Sequence, residues 1–177
     1  NQHSEKNCLS QHTTNKQSAR NSTSQARSNG ATLRTYQLAL AATGEYTAAV
    51  SAGSPTSGEG QAAIVTAINR VNEIYNRDLA IQLTLVGSNQ NLVYTNSATD
   101  PFQNSTNDID IVTGVIDGVI GNGNYDIGHL FTIGAGGLAG FGVTCHSTRK
   151  GEGVTGLGTG QIQSEAFYVD FVSHEIG

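Results

Sequence analysis

Apolar and polar positions change period several times along this chain, and each change marks an element. From Leu33 onward, Tyr36, Leu38 and Leu40 alternate with Thr35, Gln37 and Ala39, which predicts a strand with one richer face. A break at Gly53, Ser54, Pro55, Thr56, Ser57 and Gly58 follows. Ser57 is placed to cap a helix whose Ile64, Ile68, Val71 and Tyr75 recur at steps of four, three and four. Ile81, Leu83 and Leu85 return to period two, and Leu92, Val93 and Tyr94 form a short extended piece. A second helix is expected with Asn107 as cap, Asp108 and Asp110 in its positive first turn, and Ile109, Val112, Ile116 and Val119 on one face. Gly121 and Gly123 end it.

Tyr125, Ile127, His129, Phe131 and Ile133 then alternate as another strand, and glycines at 134, 136, 137, 140 and 142 punctuate a loop or edge strand reaching Cys145. After a Gly-rich stretch from Gly151 to Gly160, Ser164 can cap a last helix with Val169, Val172 and Ile176 on its core-facing stripe. The expected order is β, α, β, β, α, β, β, α. Strands interleaved with helices predict an α/β sheet with crossover connections. Residues 1–32 have a different texture: Asn, Gln, Ser and Thr dominate and large apolar side chains are almost absent after Leu9. Such a segment cannot bury enough surface to offset its ordering entropy, and it is expected to be a polar flexible linker or propeptide remnant ahead of a domain at 33–177.

Composition narrows the function classes. A net charge of −5 without any basic run leaves no patch to neutralise phosphates, so nucleic acid is not an expected partner. No apolar run is long enough for a membrane span. With 22 glycines, 13% charged residues and neither Met nor Trp, the chain reads as a loop-rich extracellular protein. The absence of a leading Met suggests a segment of a longer precursor. Cys8 and Cys145 could pair with each other, remain free, or find partners elsewhere.

Chemistry enters at His174 and Glu175, which lie off the apolar stripe of the last helix. A His-Glu pair is the first half of H-E-x-x-H, in which two histidines one helical turn apart share a zinc ion and the Glu moves a proton. By itself the pair is equally a plain helical histidine beside a solvated charge.

The surrounding segments change that balance. RTYQLALAATGEY at 34–46, NRVNEIYNRDL at 69–79, YDIGH at 125–129, GLAG at 137–140, GVTC at 142–145, GVTG at 153–156 and VDFVSHEIG at 169–177 together resemble the bacterial reprolysin-like (adamalysin-type) metallopeptidases of the metzincin clan. The segments occur in the family's order and span about residues 34–177.

The resemblance implies a metzincin-like upper subdomain: a twisted mixed sheet of about five strands, two long helices and the start of the active-site helix. It implies a zinc-dependent endopeptidase acting on protein or peptide substrates, with His174 as the first zinc ligand and Glu175 as the general base that takes a proton from the attacking water. The remaining ligands of H-E-x-x-H-x-x-G-x-x-H, and the methionine turn beneath the metal, would fall beyond Gly177. The 177 residues alone would then be inactive, since catalytic zinc needs three protein ligands.

In this family the substrate pairs antiparallel with an edge strand, here resembled by Ala135, Gly136, Gly137 and Leu138. Secretion is implied as well, and the oligomeric state is left open. The alternative from another class is a noncatalytic peptide-binding or adhesion module on the same sheet. A third is a plain α/β domain with an accidental His-Glu pair.

His129 shares the face of Ile127 and Phe131 and is expected to be a hydrogen-bonded core residue. Cys8 as a thiolate cap on the metal lacks any matching motif around it. Asn21 and Asn104 each begin an Asn-Ser-Thr triplet of the glycosylation-acceptor pattern.

Overall fold

The computed structural model of the chain describes residues 32–134 and 136–177. The linker expected at residues 1–32, and Cys8, His3, His12 and Asn21 within it, therefore lie outside the described residues except for Thr32 at its end.

Five strands form one mixed sheet: β1 (Arg34–Ala42), β2 (Ile81–Leu85), β3 (Ile127–Thr132), β4 (Gly136–Ala139) and β5 (Gly153–Gly156). Their order across the sheet is β2-β1-β3-β5-β4. The pairings β1–β2, β1–β3 and β3–β5 are parallel, and β4 runs antiparallel to β5 at one edge. This is the five-stranded mixed sheet that the resemblance implied.

β1 lies inside the sheet between β2 and β3, and from Leu38 onward it is buried on both faces rather than one. Leu38, Leu40 and Ala42 join one core cluster, with Phe131 and the helix α2 (Ser57–Asp78). Ala39 and Ala41 join the other, with Leu130 and the helix α3 (Ile109–Ile120). Period two thus distributes the strand between two helical layers, the arrangement expected of parallel strands covered on both sides.

Several elements differ from the expectation. The helix α1 (Gly44–Val50) follows β1 directly, with Thr43 Oγ1 accepting the Tyr46 amide at 3.1 Å. The extended piece at 92–94 is a 3₁₀ turn, Asn89–Leu92, followed by a single bridge between Val93 and Ala42. α2 is capped by Thr56, one residue before Ser57, and Ser105 with Asp108 forms the capping box ahead of α3 in place of Asn107. The Gly151–Gly160 stretch contains β5, a buried strand whose two glycine positions have no room for a side chain: a Cβ on Gly153 would stand 2.3 Å from His129 Nδ1. The last helix begins as seven residues of π-helix, Ala166–Val172, before the α-turn α4 (Ser173–Ile176).

Asn104 sits at φ 55, in the left-handed region, and its Oδ1 accepts the Ile133 amide at 2.9 Å and the Thr132 hydroxyl. The amide of this acceptor triplet is committed to the end of β3. Cys145 is disulfide-bonded, and Cys8, the other cysteine of the sequence, lies outside the described residues.

Candidate active site

α4 ends beside the open edge of the sheet. His174 is exposed and Glu175 half-buried, and both line a cleft of about 350 Å³ whose other walls include Ile127, His129, Phe141, Val143, Lys150 and Gly153. β4 forms the rim. Glu175 lies so close against it that a Cβ built on Gly137 would stand 2.3 Å from Glu175 Oε1. Any side chain at 137 would push the carboxylate away, which gives that glycine a packing reason. Gly136 enters the strand at φ 98, a conformation that L side chains rarely adopt.

Of the residues singled out in the sequence, His174 and Glu175 line the cleft, and Gly137 lies against Glu175. Leu138 is on β4 and 46% exposed, and none of Gly136, Gly137 and Leu138 lines the cleft itself. Ala135 lies outside the described residues.

Burial pushes the Glu175 carboxyl up from its ordinary value, opposed by the neighbouring His174 imidazole. A carboxyl so placed holds a proton more readily than a solvated one, which suits acid–base work.

His129 borders the cleft from behind. It is 1% exposed, its Nε2 lies 2.8 Å from Thr155 Oγ1, and burial pushes its pKa down to about 3. It is the neutral core histidine expected from its face. Lys150 had drawn no attention in the sequence. It is 5% exposed, donates to the carbonyls of Tyr125 at 2.8 Å and Asn122, and stands 4.0 Å from the centre of the Tyr125 ring. Burial lowers its pKa, while Asp117 and Asp126 work the other way. Lys150 thus staples the entry of β3 to the cleft wall. Phe141, 99% exposed at the cleft mouth, was also missed. A lone aromatic in a Gly-rich run was its only signal.

The residues fit a zinc ion only in part. His174 offers one accessible imidazole, whereas among the described residues no group of three or more His, Cys, Asp or Glu converges. Zinc in a catalytic site requires three protein ligands.

The family model described as "Metallo-peptidase family M12B Reprolysin-like" matches residues 32–177. No curated protein matches the sequence.

Proposed function

Because the chain belongs to the reprolysin-like M12B metallopeptidase family, we propose that it supplies the base and one metal ligand of a zinc-dependent endopeptidase that cleaves extended protein segments. The observation that carries this reading is the contact between Glu175 and Gly137: a carboxyl with raised proton affinity stands against a sheet edge that no described strand pairs on its outer side. An extended peptide added to β4 would hydrogen-bond through its backbone, and its carbonyls would pass beside Glu175.

Each part of the chain has its task. β4 orients the substrate by main-chain bonds that ignore side-chain identity, which favours cleavage inside chains over trimming of ends. Glu175 takes the proton from the attacking water and returns one to the leaving amine. His174 would hold zinc together with ligands from outside the described residues. The ion, when bound, supplies Lewis-acid polarisation of the carbonyl. Secretion is part of the same reading, supported by the family and by a low-charge, Gly-rich composition. No helix among the described residues is long and apolar enough to cross a membrane.

The test is dialysis of the purified full-length protein against a chelator, followed by assay on denatured casein. Cleavage is expected to disappear and to return on adding about one equivalent of zinc. Cleavage that persists without metal would remove the zinc assignment. Peptide binding without cleavage in the zinc-replete protein would instead favour a noncatalytic module using the same open edge.

A further inference from the structure

One buried hydroxyl ties the His174–Glu175 turn to the core. Tyr75, on the core-facing stripe of α2, is 5% exposed, and its Oη donates to the Ser173 carbonyl at 2.5 Å. The same carbonyl accepts the Gly177 amide at 3.2 Å. Two donors therefore converge on the residue immediately before His174. Burial pushes the Tyr75 hydroxyl up to about 12, so it remains a donor at neutral pH. Gly177 approaches from the other side: a Cβ there would stand 2.6 Å from Tyr75 Oη.

The preceding residues make this contact consequential. Ala166–Val172 are π-helical, with i→i+5 bonds that wind the chain more loosely than an α-helix. Ser173 Oγ also bonds back to the Val169 carbonyl, a contact that often bends helices. At the head of this segment the polar tie to α2 is the pair Arg70 Nη2–Glu165 Oε2 at 2.7 Å, which is well exposed on both sides and hence weak. Phe167, Tyr168 and Val172 anchor the segment in the core by apolar packing, and the Tyr75 hydroxyl adds the polar tie at Ser173, where the turn carrying His174 and Glu175 begins.

We infer that Tyr75 is a positioning residue for the candidate site: its hydroxyl, acting through the Ser173 carbonyl, sets the rotation of the turn that aims His174 and Glu175 at the cleft and β4. What the turn does chemically rests on the peptidase reading above; the contact itself does not.

Tyr75→Phe and Gly177→Ala, singly and together in the full-length protein, test it by two readouts. The first is amide hydrogen exchange of residues 173–177; the second is kcat against KM on a fluorogenic peptide. Phe keeps the ring in the core and removes only the donor, so exchange at the turn should quicken about fivefold to tenfold, the worth of one hydrogen bond, while β1 and β3 amides change less than about twofold. kcat should fall by a similar factor with KM unchanged. Gly177→Ala should produce the same exchange change by displacing the hydroxyl. The double variant should be no worse than Tyr75→Phe, because the hydroxyl that the new methyl strikes has gone.

Unchanged exchange at the turn in either single variant would overturn the inference, and so would effects that multiply in the double variant. Should Tyr75→Phe fail to fold, Gly177→Ala alone carries the exchange test. A wild-type protein that neither binds zinc chloride nor cleaves the peptide overturns the peptidase reading and leaves exchange to decide on Tyr75.

Discussion

His129 shows how a residue near the site can matter for stability rather than chemistry. Its folded pKa of about 3 lies below the ordinary histidine value near 6.5, so the unfolded chain binds the extra proton between those limits. The stabilisation is complete above pH ~6.5 and is lost as pH falls toward ~3, at up to ~1.4 kcal/mol per unit. Urea unfolding of the wild type should therefore lose up to about 2 kcal/mol more between pH 7 and pH 5 than a His129→Gln variant does. Equal losses would mean that His129 is protonated without penalty. Asn104 makes a second case. Asn104→Ala removes two bonds to the end of β3 and leaves a Cβ residue at φ 55, so thermal or urea unfolding should register a loss of about 2–3 kcal/mol. The sequence showed Asn104 only as a possible acceptor triplet, because its tie to Thr132 and Ile133 spans more than 25 residues of chain.

At the scale of elements, the two edges of the sheet are treated differently. On the outer side of β2, Asn72 from α2 imitates a strand, donating to the Leu83 carbonyl at 2.9 Å and accepting its amide at 2.8 Å. The outward backbone groups of Leu83 on that edge are already taken, whereas among the described residues β4 has strand partners only from β5. Asn72→Leu should cost about 2–3 kcal/mol in urea unfolding, since two buried backbone groups lose their partner. A cost below ~0.5 kcal/mol would show that the mimicry is incidental.

The strands β1, β2 and β3 and the helices α2 and α3 were legible from periodicity because each carries a long apolar face. β5 was not, since its four residues include two glycines selected for close contact, with His129 at Gly153 and the Gly134 carbonyl at Gly156. The short helix α1, seven residues long, offered too few turns for a period to show. The π-helical stretch was equally hidden, because Val169, Val172 and Ile176 fit α-helical spacing as written.

For the whole molecule, one sheet with a helical layer on each face leaves function to its rim and to the helix that ends there. His174 and Glu175 could be picked out as candidates from sequence, but the weight came from the ordered set of matching segments. What no pattern predicted was the tertiary fact that Glu175 rests on Gly137. That contact makes the central claim testable through one atom exchange. In Glu175→Gln the amide keeps the side chain's shape and loses its basicity, so the zinc-loaded full-length protein should retain its metal content while kcat on denatured casein falls about 10²- to 10⁴-fold. A Glu175→Gln variant with full zinc content and wild-type turnover would contradict the account.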